Sequence, residues 1–303
     1  MSIKTVALIG GTGTLGAPLL YALHASPFTI HILNRTSSKS TYPSPTSVLT
    51  IPDDLDVSTL TTIFKENAID ALVIALAGSH VATAKKLIEA AFNAGVKRVI
   101  PPDFGSCDSA DEKTNEILPL MKGKKDVRDY LIELQEKDRE GVGRMTWTSL
   151  ITGHFFDFGL TCGLLNFDVK NRIAYILDGG DVNFSNSTLP FISEAVIRIL
   201  QRSEETANKV LYVHSLRATQ NELLAVLEKV TGAMFEKIEQ SSEEELAKSR
   251  PKMLKGDKEA QEEVVAVWGI VATDWAGREG FANGLLGLEE EDLESVVRKA
   301  LGE

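Results

Sequence analysis

Up to about residue 150 the chain alternates short runs of β-branched and apolar residues with longer stretches whose apolar positions recur every three or four residues. This alternation predicts strands at Thr5–Ile9, Phe28–Leu33, Val48–Ile51, Ala71–Leu76, Arg98–Ile100 and Thr146–Ile151, the most apolar of them buried on both faces. Helices are expected between them over Thr14–Ala25, Thr59–Asn67, His80–Asn93 and Thr114–Lys137, with Gly95 as a stop signal behind the third. Strands alternating with helices define an α/β protein built on a doubly wound parallel sheet of the Rossmann type.

Beyond residue 153 the rhythm changes. Arg172–Leu177 and Val182–Phe184 flank the turn-forming Asp178-Gly179-Gly180-Asp181 and predict a hairpin. Helices are expected at Pro190–Gln201 and Gln220–Val230, strands at Val210–His214 and Phe235–Ile238, and a mostly helical remainder. Ser241 and Ser242 precede three glutamates, and Glu289–Asp292 precede Arg298 and Lys299, charges that complement helix dipoles. The expected organisation is a nucleotide-binding domain over 1–153, joined by returning elements near 188–216, and a smaller α+β substrate-binding part over 154–303. With no low-complexity linker between them, the second part is expected to pack on the first.

Composition narrows the function classes. The 303 residues are 43% apolar and 25% charged, an ordinary globular balance. Thirty-two basic side chains against forty-three acidic ones leave a net charge of -11, which disfavours nucleic acid and anionic membranes as partners. A small anion can still be held by backbone amides and a nearby Arg, because distant carboxylates are screened. Cys107 and Cys162 lack metal-type spacing, so no metal is expected and a reducing, cytoplasmic setting is the default. The run Ala71–Gly78 is far shorter than the roughly 20 residues a membrane helix needs.

The densest chemical signal follows the first strand: Gly10-Gly11-Thr12-Gly13-Thr14-Leu15-Gly16, leading into an apolar helix. Gly10 turns the chain, Gly13 lets backbone amides approach a pyrophosphate, and Gly16 brings helix and strand together. Thr12, Thr14 and Leu15 complete this candidate cofactor loop. At the end of the second strand, where NAD sites carry a carboxylate for the ribose hydroxyls, the chain has Arg35, followed by Thr36, Ser37, Ser38 and Lys39. A guanidinium there suits a 2'-phosphate and points to NADP rather than NAD. Further on, Lys124 falls on the apolar stripe of Ile117, Leu120, Met121, Val127, Leu131 and Leu134. A partly desolvated lysine suits general acid-base work, although a snorkelling lysine on a basic helix surface gives the same pattern. No Tyr is followed four positions later by Lys, so the acid-base pair of ordinary short-chain dehydrogenases is missing.

These residues resemble the NmrA-like and isoflavone reductase-like family, the atypical short-chain dehydrogenase group that includes phenylcoumaran benzylic ether reductases. The likeness spans nearly the whole chain and is carried by Gly10–Gly16, Ala94–Ser106, Lys124–Tyr130 and Thr146–Leu160, the last most similar to the fungal branch. The resemblance implies a catalytic lysine three positions before a Val-Arg pair, a spacing met by Lys124, Val127 and Arg128. It implies NADPH held by the glycine loop, by Arg35, and by the segment that includes Pro102 and Phe104; Lys39, a further donor after Arg35, and Ala77 and Gly78 behind the fourth strand are the other candidate cofactor residues. Pro102 and Asp103 replace the Ser and Glu of the family's Pro-Ser-Glu-Phe-Gly segment, so side-chain contacts from these positions do not carry over. Gly153, His154, Phe155 and Phe158 are substrate-pocket candidates, with core packing an equal reading of the aromatic residues.

The expected activity is NADPH-dependent reduction of a small aromatic or conjugated metabolite, as in secondary metabolism. Two rivals stay open: a redox-sensing regulator that binds the dinucleotide without turnover, and a redox-neutral isomerase or dehydratase of a natural product. Monomer and homodimer are both compatible with the sequence.

Overall fold

The computed structural model describes residues 2–302. In chain order the elements are β1 (Thr5–Ile9), α1 (Gly16–His24), β2 (Thr29–Arg35), β3 (Ser47–Ile51), α2 (Val57–Glu66), β4 (Ala71–Ile74), α3 (Val81–Ala94), β5 (Arg98–Ile100), α4 (Glu112–Ile117), α5 (Leu120–Gln135), β6 (Thr146–Ile151), β7 (His154–Phe155) and α6 (Phe156–Cys162). They continue with β8 (Phe167–Asp168), β9 (Ile173–Leu177), β10 (Phe184–Ser187), α7 (Leu189–Gln201), β11 (Lys209–Tyr212), β12 (Leu216–Ala218), α8 (Gln220–Thr231), β13 (Glu236–Gln240), α9 (Ser242–Met253), α10 (Lys258–Val271), α11 (Asn283–Leu286) and α12 (Leu293–Ala300).

Seven strands form a parallel Rossmann-type sheet in the order β11-β6-β5-β4-β1-β2-β3. β1 lies parallel to both β2 and β4, with Ile9 opposite Leu33 on one side and Ile74 on the other. The chain winds outward from β1 to β3, then returns to begin again at β4. The reversal therefore falls between β1 and β4, and a crevice opens beyond their C-terminal ends. Helices on both faces explain why these two strands are apolar apart from Thr5: Val6, Ala7, Leu8 and all four residues of β4 are fully buried. α3 packs Ala84, Leu87, Ile88 and Ala91 into the same core, where each buried Leu or Ile stabilises the fold by about 1.5–3 kcal/mol. Gly95 ends α3 in the left-handed region at φ +85°.

The chain divides into two compact units, each assembled from separate stretches. The first takes residues up to Asp103, Leu120–Leu150 and Ile192–Leu211; the second takes Phe104–Pro119, Ile151–Phe191 and the chain from Tyr212 onward. The second unit contains two three-stranded sheets, β12-β10-β7 and β13-β9-β8.

Two elements differ from the sequence expectation. The helix expected over 114–137 is two helices, because Pro119 has no N–H to donate and drives Leu118 out of the helical region, to φ -121° and ψ 80°. Ile117 therefore belongs to α4 and not to the stripe that carries Lys124. The expected hairpin around Asp178–Asp181 does not form. Gly179 and Gly180, both at positive φ, turn the chain out of one sheet into another. β9 pairs with β8 and β13, whereas β10 pairs with β7 and β12.

Candidate functional site

The glycine loop leaves β1 at the crevice, and two of its glycines are forced by the chain itself. A Cβ at Gly10 would overlap the Ala75 carbonyl oxygen, and one at Gly16 would overlap the carbonyl oxygen of Gly10. Gly13 is different: its nearest protein atom would be the Gly10 oxygen at 3.3 Å, a tight but tolerable approach. Thr12, Gly13 and Thr14 are exposed at the tip of the loop, while Leu15 and Gly16 are buried beneath it. Leu15 occupies the N-cap of α1 and supplies no side-chain hydrogen bond; in the first turn the Ala17 N–H donates to the Gly13 carbonyl at 3.0 Å and Pro18 has no N–H to give.

Beside this loop lies a cavity of about 340 Å³, within the first unit, whose wall includes Gly10, Thr12, Gly13, Arg35 and Ala77. Sequence reasoning missed several wall residues: Ser40 and Tyr42 beyond β2, Leu76 behind β4, and His80 and Thr83 at the start of α3. His80 could have been found, since it caps the helix that follows the fourth strand at the switch point. Lys39 is not among the lining residues.

Of the hydroxyls after Arg35, two are committed elsewhere. Thr36 Oγ1 donates to the Ile51 carbonyl at 3.1 Å, and Ser37 donates from N and Oγ to Asp53 Oδ1 at 3.1 and 2.6 Å. These bonds, helped by the charge of Arg35, hold the Asp53 carboxyl below its usual range. Arg35, Ser38 and Ser40 line the cavity, with Ser38 Oγ accepting from Ser40 N at 3.2 Å and Ser40 Oγ 3.4 Å from Thr12 Oγ1.

α5 brings Lys124 to the loop behind β4. A Cβ at Gly78 would lie 2.8 Å from Lys124 Cε, so the lysine stem rests directly on the glycine backbone. One turn later Arg128 is buried and paired with Asp103, which follows Pro101 and the buried Pro102 behind β5. Asp103 thus makes a side-chain contact at a position where the family motif has Glu. Phe104, 8% exposed, opens the second unit.

The remaining candidates all lie in the second unit. Gly153 has φ +68° and its hydrogen faces the Ser185 carbonyl, where a Cβ would clash. His154 is buried against α10, and desolvation drives its pKa down to about 4. Phe155 is half-buried, Phe156 is core, and Phe158 is 38% exposed. Glycine loop, Arg35, Ala77, Gly78 and Lys124 are therefore gathered in one unit, and Gly153, His154, Phe155 and Phe158 in the other. Among the described residues no cluster of three potential metal ligands occurs, and no helix is long and apolar enough to cross a membrane.

Sheet order, glycine loop and switch-point cavity define a Rossmann-type α/β protein with the geometry of a dinucleotide cradle. The NmrA-like family profile matches residues 2–138. An oxidoreductase of Aspergillus flavus, aprR, is 30% identical, with 99% of each chain covered. A second oxidoreductase, poxI of Penicillium oxalicum, is 29% identical over 96% of this chain and 91% of its own. The chain belongs to the NmrA-like family. Its fold is also that of solved reductases: AtPrR2 with NADP+ and (+)pinoresinol superposes with TM-score 0.79 at 19% identity, covering 99% of both chains. Leucoanthocyanidin reductase of Vitis vinifera in its binary complex with NADPH gives 0.75 at 18% identity, covering 98% of this chain and 100% of the other.

Proposed function

We propose that the protein is an NADPH-dependent reductase acting on a small aromatic or conjugated metabolite. One convergence carries the reading: the glycine loop, the Arg35 end of β2 and the Lys124 stem on Gly78 all belong to loops or helices that gather at the C-terminal ends of the sheet strands. The whole-length likeness to oxidoreductases and the fold shared with NADP-bound reductases support it.

The residues fit the cofactor. The Thr12, Thr14, Leu15 and Gly16 amides are left to offer to a pyrophosphate, the Gly13 N–H being held by the Gly10 carbonyl and the Ala17 N–H by the Gly13 carbonyl, and a side chain at Gly13 would crowd that space. Arg35 offers two parallel donors to a 2'-phosphate, with Ser38 and Ser40 beside it. NADPH, when bound, supplies a hydride to an electron-poor carbon. Lys124 provides the matching proton transfer at a substrate oxygen, giving a proton where negative charge develops and taking one from a phenol or enol where it must be lost. Its stem rests on the backbone of Gly78. By likeness to the family's segment, Pro102 and Phe104 would hold the nicotinamide end, and Gly153, His154, Phe155 and Phe158 belong to the part assigned to substrate.

The test is calorimetric titration of NADPH, NADP and NADH, followed by an absorbance screen for NADPH consumption against enones, quinones and phenylpropanoids. NADPH binding with turnover of any of these establishes the reductase. Tight binding without turnover moves the assignment to a dinucleotide-sensing regulator or a redox-neutral enzyme, and absence of binding overturns the proposal.

A further inference from the structure

Asp103 and Arg128 have side chains only 2% and 4% exposed, and Arg128 Nε donates to Asp103 Oδ2 at 2.8 Å while its Nη2 reaches the same oxygen. Burying both charges costs desolvation, and well-packed apolar residues of similar size would fill the same space with equal or greater stability. What an apolar pair cannot do is define direction. Two donors of one guanidinium converging on one carboxylate oxygen fix the direction in which the group points, and this limits the rotation of the helix that bears it.

That helix is α5, and the lysine lies four residues earlier on the same face. A second constraint acts at the lysine end. A Cβ at Gly123 would approach Val81 Cγ2 to 2.7 Å and the Gly78 oxygen to 3.2 Å, so the first turn of α5 lies against the loop behind β4 with no room for a side chain. The glycine contact sets how deep the helix lies, and the ion pair, one turn further on, sets how it is rotated. The two anchors sit behind adjacent strands, β4 and β5, and Lys124 is between them along α5.

We propose that Asp103 and Arg128 are positioning residues that hold Lys124 in the orientation its proton transfer requires. The inference rests on the reading of Lys124 given above. Asp103 therefore contributes through α5, not by touching cofactor or substrate.

The experiment compares wild type with Asp103→Asn, which keeps the side-chain size, and with the paired variant Asp103→Leu/Arg128→Met, which removes both charges and leaves neither unpaired. Each is assayed for kcat, KM and NADPH affinity. In parallel, the rate at which acetic anhydride acylates Lys124 is read by peptide mass spectrometry against the exposed Lys122 on the same helix. The expected result is a folded paired variant whose kcat falls by about tenfold or more, as for a reacting group displaced by a fraction of an ångström, with KM and NADPH affinity nearly unchanged. Relative acylation of Lys124 should change by at least about threefold, because amine reactivity follows exposure and local charge. Wild-type kcat in the paired variant, or an unchanged Lys124 to Lys122 ratio, overturns the proposal. If wild type consumes no NADPH with any substrate, the reductase reading fails, and the acylation ratio alone decides the positioning role.

Discussion

The imidazole of His154 occupies the volume that a side chain at Gly269 would need: a Cβ built there would overlap Nε2 of the ring. β7 and α10 thus approach each other through a bare helix position, and the two residues are one packing unit. Gly269→Ala should destabilise the protein by about 1–3 kcal/mol, the usual result of adding a methyl group to a filled core. Adding His154→Ala to it should relieve the overlap, so that in a denaturant titration the double variant loses less than the sum of the two single ones. Additive losses would show that the two residues do not interfere.

Acid should weaken the fold through the same histidine. Burial holds the His154 pKa at about 4, against the ordinary 6.5 of the unfolded chain, so between those values the unfolded state binds the extra proton. The contribution to stability is complete above pH 6.5 and is lost as pH falls toward 4, amounting to about 2 kcal/mol at pH 5. His214 is shifted in the same direction, by burial that outweighs its contact with Glu290. Urea unfolding at pH 7 and pH 5 should therefore show a smaller acid loss in His154→Asn than in wild type; equal losses would remove His154 from the account.

Arg35→Ala tests cofactor choice. Removal of a bidentate charge-assisted contact should raise the Kd for NADPH by about tenfold or more and leave NADH nearly unchanged, as read by calorimetry. Equal weakening of both dinucleotides would mean that Arg35 shapes the pocket without reading the 2'-phosphate.

Lys124→Ala should lower kcat by about 100-fold to 10,000-fold while leaving NADPH affinity within a small factor. Gly78→Ala offers an independent route to the same site. Its methyl group would lie 2.8 Å from Lys124 Cε and must push the lysine stem aside, so kcat should fall with the lysine still present. Full turnover in either variant would separate Lys124 from the proton transfer.

How much of this was legible depended on how far the cause lay from its effect. The glycine loop could be read because Gly10 and Gly16 answer to neighbours within the same strand-turn-helix unit, apart from the one close approach to Ala75. The commitment of Ser37 to Asp53 could not be read, since its partner lies 16 residues on, behind the next strand. Asp103 looked like a shortened and weakened match to a motif, and only the burial of Arg128 beside it gives the short carboxylate a role. The break at Pro119 was visible, but apolar spacing across it argued for continuity, and local backbone chemistry won. Around Gly179 and Gly180 the turn was recognised, whereas the partner strands were chosen by packing far along the chain.

The interleaving of the two units has a consequence for synthesis. When the ribosome has made the chain through Ile151, β6 has been produced but β11, which covers its outer edge, still lies about sixty residues ahead. Until Asn208 emerges to donate its amide to the Trp147 carbonyl, the nascent sheet exposes a strand edge of the kind that recruits other chains. The whole second segment of the other unit, Ile151–Phe191, must pass out of the exit tunnel during that interval. Translation speed and chaperone occupancy across this stretch should therefore govern soluble yield more than the stability of the finished molecule.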